Sequence, residues 1–142
     1  MKKLLLLVCI SLTALSCSKS DNADKTCNYL LNVGVNLRVD LNLPYYSPLQ
    51  FISNPVYDDS QGNKGIIIMN TGTGYAAWDA SDPNHAPNTC STLQISGVEA
   101  VCGCEDNKYS IFTGQPLENG SLRCGLKPYR VEVSGNELFI SN

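Results

Sequence analysis

Histidine and the common catalytic motifs are scarce in this sequence. His85 is the only histidine among 142 residues. The chain has no Gly-x-Ser-x-Gly motif and no phosphate-binding loop, and Gly72-x-Gly74 reads as a hairpin turn because no helix follows it. A nucleophile–base pair of Cys102 and His85 lacks a third group to orient the base. These absences argue against an enzyme.

Helical periodicity, internal repeats and basic surplus are missing as well. Beyond residue 16, no window of helical length repeats its apolar residues every 3.6 positions. Without the first 16 residues, 126 remain, with 8 basic and 13 acidic side chains. That length suffices for one domain with its own core, and its acidic balance argues against a nucleic-acid partner.

The first 16 residues have the plan of a cleavable secretion signal. Lys2 and Lys3 precede an apolar run too short to span a bilayer, and small residues follow. Residues 13–17, Thr-Ala-Leu-Ser-Cys, resemble a lipoprotein signal box, so we expect a lipid on Cys17; ordinary secretion is the alternative. Ser18 favours the outer membrane and leaves its periplasmic and surface faces both open. We expect anchor and flexible tether over 17–27 and the folded domain over 28–142.

Five cysteines remain for the domain once Cys9 is cleaved off and Cys17 is acylated. They are Cys27, Cys90, Cys102, Cys104 and Cys124. In an oxidising compartment this count predicts two disulfides and one leftover thiol, with several pairings open.

The apolar pattern predicts an all-β domain. From Asn32 to Leu43, apolar and polar residues alternate, which is typical of a half-buried strand. The run Ile66 to Met69 is apolar on both faces, which indicates a central strand. The remaining strands are expected at 49–53, 56–57, 75–78, 92–95, 98–101, 108–112, 128–133 and 137–141. Many short strands in a domain of this size indicate a sandwich or small barrels.

Two loops without periodicity, 79–90 and 102–107, hold His85 and three of these cysteines. The tract from about Gly65 to Ser141 resembles a Rieske domain. Rieske domains carry a Cys-x-His loop and a Cys-x-x-His loop, about 15 to 17 residues apart, whose cysteines bind one iron of a [2Fe–2S] cluster and whose histidines bind the other. Here 16 residues separate His85 from Cys102.

The surrounding segments carry the resemblance further. Residues 101–104 (Val-Cys-Gly-Cys) resemble the second ligand loop, residues 109–117 the strand and turn after it, and residues 126–133 the closing strand. The chain also resembles small Rieske-fold lipoproteins of Bacteroides-like bacteria. The resemblance implies a Rieske-like fold of small antiparallel sheets or barrels, in which two loops form the cluster-site region.

The ligand set departs from the family pattern. Pro83, beside Asp82, stands where the first loop should have a cysteine, and Glu105 stands where the second should have a histidine. Hard carboxylate oxygens suit other metals better than a sulfide cluster. We therefore expect no cofactor and regard Asp82, Pro83, His85, Cys102 and Glu105 as vestigial positions. The alternatives are a [2Fe–2S] cluster with atypical ligands and a single zinc-like ion held by the four of these residues other than Pro83.

The resemblance also implies one disulfide. Many respiratory Rieske domains join their two ligand loops by a disulfide, to which Cys90 and Cys104 correspond. Cys27 and Cys124 then form the second pair, and Cys102 is left as a buried, inert thiol.

The function expected from these observations is that of a binding or structural module of the cell envelope. Its membrane contact is the lipid on Cys17, and its partner is an unknown envelope protein or small ligand. The alternative is an electron-transfer protein with unusual ligation.

Overall fold

The computed structural model describes residues 27–117 and 122–142, and these residues form nine β-strands and one short 3-10 helix. The signal, Cys17 and all but the last residue of the expected tether lie outside the described residues. The strands are β1 (Asn36–Asp40), β2 (Val56–Asp58), β3 (Ile66–Asn70), β4 (Tyr75–Asp79), β5 (Leu93–Ser96), β6 (Glu99–Cys102), β7 (Lys108–Ser110), β8 (Pro128–Ser134) and β9 (Glu137–Ser141).

The strands form two antiparallel sheets. The larger has six strands in the order β1-β9-β8-β4-β3-β2, and the smaller has three in the order β5-β6-β7. The small sheet is inserted between β4 and β8, which pair with each other in the large sheet. Its two loops, residues 80–92 before β5 and residues 103–107 after β6, are called the first and second loop below.

Strand β3 separates two hydrophobic cores. Ile66 and Ile68 face the large core, whereas Ile67 and Met69 face the small core, as the alternation of a strand requires. All four side chains are fully buried. The expected central strand is therefore present, and it is shared by both halves of the molecule.

The large core is mainly aliphatic and lies on one face of the six-stranded sheet. Strand β1 contributes alternate residues to it, and the alternation extends past both ends of the strand. The buried residues of this segment are Val35, Leu37, Val39 and Leu41.

Two predicted strands differ from the structure. The segment 32–43 was expected to be one strand, but β1 has only five residues because its partner β9 offers five ladder positions. The segment 49–53 was also expected to be a strand. The structure has a 3-10 helix at Ser47–Gln50 instead, with Pro48 in its first turn, where the fixed φ of proline suits a helix start. Only Leu49 of that helix is buried.

An indole ring connects the two sheets. Trp78 of β4 donates a hydrogen bond from Nε1 to the carbonyl oxygen of Ile111, at 2.7 Å. The turn after β7 packs against its ring at Gly114, which has a φ of +70°. A Cβ at Gly114 would lie 2.6 Å from the ring, so this turn needs glycine for both conformation and space.

Within the described part of the chain, no helix is long and apolar enough to cross a membrane.

Candidate functional site

A disulfide joins the two loops at their outer end. Cys90 of the first loop is bonded to Cys104 of the second, with their Cα atoms 5.1 Å apart. A second bridge joins Cys27 to Cys124, 97 residues apart. The family resemblance implied the first pair, and the second is the pair expected from the cysteines that remained. Cys102 is free and buried.

Asp82 lies beneath the bridged loops and is the centre of their polar contacts. It is fully buried. Its Oδ1 accepts hydrogen bonds from the hydroxyl of Tyr109 at 2.5 Å and the backbone N–H of Asn84 at 2.8 Å. Its Oδ2 accepts one from Nδ2 of Asn107 at 2.8 Å. The donors come from the first loop, the second loop and β7, so one carboxylate fixes three segments.

The phenol of Tyr109 is held in its neutral form. Burial, followed by the hydrogen bond to Asp82, raises the pKa of Tyr109 far above its ordinary value. The neutral hydroxyl donates to the carboxylate and accepts a hydrogen bond from Nδ2 of Asn84, at 2.8 Å. A buried carboxylate without a cation is costly unless donors surround it, and this arrangement provides them.

Asn84 extends this network to the second disulfide. Its Nδ2 also donates to the carbonyl oxygen of Cys124 at 2.8 Å, and its Oδ1 accepts from the N–H of Cys124 at 3.1 Å. The amide therefore binds the backbone of Cys124 through both its donor and its acceptor. This clamp, together with the Cys27–Cys124 bridge, connects the first loop to the beginning of the domain.

His85 and Glu105 face each other across the loops without close contact. Nε2 of His85 is 3.9 Å from Oε1 of Glu105, and Nδ1 of His85 lies 2.7 Å from the carbonyl oxygen of Ala86. Glu105 is largely exposed. The side chain of His85 is only 19% exposed. Pro83 is buried and offers no side-chain ligand atom.

Cys102, at the end of β6, lies against the bridge. Its Sγ is 3.7 Å from the carbonyl oxygen of Cys90 and 3.5 Å from the backbone nitrogen of Cys104. Burial raises the pKa of the Cys102 thiol, and the backbone N–H of Cys104 opposes this effect. The protonated thiol is the favoured form.

These residues do not fit a [2Fe–2S] cluster. The cluster needs two terminal ligands on each iron, and the chain offers one cysteine and one histidine at the four positions. Proline supplies no ligand atom, and the oxygens of Asp82 already accept three hydrogen bonds. The set expected for a zinc-like ion is not assembled either. Residues 27–117 and 122–142 contain no group of three or more His, Cys, Asp and Glu side chains placed to hold one ion.

Asp79, at the end of β4, is the centre of a second buried network. Its Oδ2 accepts hydrogen bonds from the hydroxyl of Tyr129 at 2.5 Å and from the backbone and side-chain amides of Asn63, both at 2.8 Å. Its Oδ1 accepts from the N–H of Ser81 at 3.0 Å. Burial, then the bond to Asp79, raises the pKa of Tyr129 well above its ordinary value. Two tyrosine–aspartate pairs thus flank the start of the first loop.

A shallow groove of about 290 Å³ lies between the edges of the two sheets. It is lined by Tyr57 of β2 and by residues 92–95 in and just before β5. Most of its surface is apolar, so it suits the apolar part of a ligand.

Sequence reasoning missed the partners of Asp82. It treated Asp82 as a possible ligand and gave no role to Asn84 or Asn107. The available signal was local: an Asp at the start of a loop commonly accepts a hydrogen bond from the backbone N–H two residues later, which forms an Asx-turn. The distant partners, Asn107 and Tyr109, have no such signal.

Neither a family model nor a curated protein matches the chain in sequence. Among solved structures it is similar to a chain from a complex of reduced oxygenase and oxidized ferredoxin in carbazole 1,9a-dioxygenase, with 13% identity, a TM-score of 0.49, and 78% of this chain and 94% of that chain covered. The ferredoxin of carbazole 1,9a-dioxygenase from Nocardioides aromaticivorans IC177 is 15% identical, with a TM-score of 0.46 over 76% of this chain and 96% of that one. A putative NADH-dependent nitrite reductase small subunit from Mycobacterium tuberculosis is 14% identical, with a TM-score of 0.46 over 78% of this chain and 97% of that one.

The fold is all-β and built of small antiparallel sheets, as predicted from the sequence. A small sheet presents two loops, and a disulfide joins them.

Proposed function

We propose that this chain is an envelope lipoprotein whose Rieske-like domain has lost its iron–sulfur cluster and serves as a binding or structural module. The observation that carries the proposal is the state of Asp82. A carboxylate with both oxygens hydrogen-bonded to the surrounding loops does the structural work that metal ligation would otherwise do there.

Loss of the cluster is also supported by the number of ligand residues that remain. The chain keeps one cysteine, Cys102, and one histidine, His85, at the four ligand positions. A cluster would require two residues of each type converging on it from both loops. The network provides a metal-free means of holding the same loops.

The envelope location is supported by the N-terminal sequence and the cysteine chemistry. A charged start, a short apolar run and Cys17 in a lipoprotein-like box favour export and lipid attachment. Two disulfides in a domain of this size suit an oxidising compartment. For a binding role, the described residues offer the groove beside Tyr57, whose lining favours an apolar group of an envelope protein or small ligand.

Iron analysis of the full-length chain tests the loss of the cluster. The chain is purified anaerobically, incubated with iron and sulfide, desalted, and examined for bound iron, sulfide and visible absorbance. We expect none above a blank. About two irons and two sulfides per chain, with charge-transfer bands, would overturn the proposal and favour the electron carrier.

A matched variant makes the negative result informative. The double substitution Pro83→Cys with Glu105→His supplies two ligands of each type. If this variant takes up iron and the unmodified chain does not, the missing ligands explain the negative result and the reconstitution procedure does not.

Lipid attachment is tested separately. With Cys17→Ala, we expect loss of labelling by a fatty-acid probe and release of the chain from the membrane fraction. Unchanged labelling would contradict the lipoprotein assignment.

A further inference from the structure

Three cysteines meet where the two loops join, and only two of them can be bonded at once. The Cys90–Cys104 bridge is covered on one side by Oδ1 of Asn88, which lies 3.1 Å from the sulfur of Cys90 and 3.4 Å from that of Cys104. Cys102 contacts the backbone of both bridge residues, with its sulfur 3.7 Å from the oxygen of Cys90 and 3.5 Å from the nitrogen of Cys104. The free sulfur therefore lies beside the backbone of both cysteines that form the existing bond.

We propose that Cys102 exchanges with this bridge, so that the loop pair has two covalent states. In the exchange, the Cys102 thiolate attacks Sγ of Cys90. A Cys90–Cys102 bond forms, the Cys90–Cys104 bond breaks, and Cys104 leaves as a thiolate that takes up the proton given up by Cys102. One thiol and one disulfide are present before and after, so no external oxidant or reductant is needed.

The direction of exchange follows from spacing. A bond between Cys102 and Cys104 would close a ring over a single intervening residue, Gly103. A bond between Cys90 and Cys102 joins the same two loops as the existing bridge and spans nearly the same length of chain. Attack at Cys90 thus preserves the connection between the loops.

The two states differ in which sulfur is accessible. In the described state the thiol belongs to Cys102, which is 0% exposed, and reagents in water do not reach it. After exchange the thiol belongs to Cys104, which is partly exposed. The exchange thus transfers reactivity from the core of the small sheet to the surface of the second loop. This inference is independent of the proposed function, because it needs neither a metal nor a partner.

Trapping under native conditions tests the exchange. The full-length chain is incubated with N-ethylmaleimide and sampled over hours, and free thiols are then blocked with a second reagent during unfolding. Cleavage after Glu99 separates Cys90 from the other two cysteines, and peptide fragmentation distinguishes Cys102 from Cys104. We expect the maleimide to accumulate on Cys104, with Cys90 bonded to Cys102.

The matched control is Cys102→Ser, which keeps the bridge and removes the attacking sulfur. Labelling of Cys104 should then fall to background. Labelling of Cys102 itself, labelling of Cys90, or no labelling while an unfolded sample is labelled would each overturn the proposal. So would persistence of Cys104 labelling in Cys102→Ser.

A second variant isolates the product state. Cys104→Ser should form the Cys90–Cys102 bridge. Its mass should then be two hydrogens lower than that of the same variant with Cys90 and Cys102 reduced. Finding Cys90 and Cys102 both free in the folded variant would contradict the exchange. If this variant does not fold, the maleimide trapping in the unmodified chain still tests whether the exchange occurs.

Discussion

The six-stranded and three-stranded regions are stabilised by different means. The large region has a core of mainly aliphatic side chains, to which β1, β3, β8 and β9 all contribute. The small region has three short strands, two loops, a disulfide between them, and a buried carboxylate that binds both. The strands of this sheet have only three or four residues each, and a cross-link and buried hydrogen bonds add to the small apolar core beneath them. The comparison teaches that the polar residues of the loops are part of the fold.

The largest expected effect comes from removing either disulfide. In the chain-entropy model, a bridge over about 100 residues contributes about 4.7 kcal/mol and one over about 15 residues about 3 kcal/mol. The bridges here span 97 and 14 residues. We therefore expect Cys27→Ala/Cys124→Ala to lower the free energy of unfolding more than Cys90→Ala/Cys104→Ala, as measured by urea denaturation. The reverse order would show that the small region depends on its own bridge more than the model allows.

The next effect compares two neighbours on β3. Ile67→Ala creates a cavity in the small core and Ile68→Ala one in the large core, and each should cost about 2–5 kcal/mol. We expect Ile67→Ala to increase hydrogen exchange mainly in β5–β7 and Ile68→Ala to increase it throughout the large sheet. Identical exchange patterns would mean that the two regions open as one unit.

A smaller effect compares the two buried tyrosine–aspartate pairs. Tyr109→Phe and Tyr129→Phe each leave a buried carboxylate with one donor fewer, and each should cost about 1–3 kcal/mol at pH 7. In Tyr109→Phe, the loss of protection should be greatest in the two loops, which hydrogen exchange over residues 80–92 and 103–107 would measure. Equal protection of those loops in both variants would contradict a local role for Tyr109.

The same two tyrosines predict that the folded domain loses stability at alkaline pH. Burial raises the pKa of both phenols above the unfolded value of about 10. Their contribution to stability is therefore complete below pH 10 and is lost as the pH rises further, because the unfolded chain ionises first. Unfolding measured between pH 9 and 11.5 should show a steep loss in the unmodified chain and a shallower one in each Phe variant. An equal loss of stability in the unmodified chain and both variants would show that these phenols do not cause it.

The smallest effect concerns Asp58 in the large region. Burial acts to raise the pKa of Asp58, but hydrogen bonds from Ser60 and Tyr46 outweigh it and lower the pKa below the ordinary 3.8. This contribution is complete above about pH 4 and is lost as the pH falls through the folded value. Tyr46→Phe should reduce the acid sensitivity between pH 5 and 2. Tyr45→Phe is the control, because the hydroxyl of Tyr45 donates to the backbone oxygen of Tyr57 instead.

Much of the fold follows from local patterns in the sequence. The apolar run 66–69 and the turn at 71–74 predict the hairpin of β3 and β4, because strand alternation and turn chemistry act over a few residues. The expected strand at 49–53 was wrong because Pro48 favours a helical turn and only Leu49 reaches the core.

The candidate site was less predictable. The lack of periodicity indicated the two loops, and the family resemblance implied the Cys90–Cys104 disulfide, which left Cys27 and Cys124 for the second. The hydrogen bonds to Asp82 arise from Asn107 and Tyr109, 25 and 27 residues away, which only the three-dimensional arrangement brings together.

The Cys27–Cys124 bridge also has a mechanical consequence. A pull on the N-terminal end enters the domain at Cys27 and is transmitted covalently to Cys124. From there the amide of Asn84 carries it into the first loop. Strand β1, which would otherwise be the first to be unzipped from β9, is shielded from that load. Tension on the chain is therefore delivered at Cys124, four residues before β8, rather than at the start of β1.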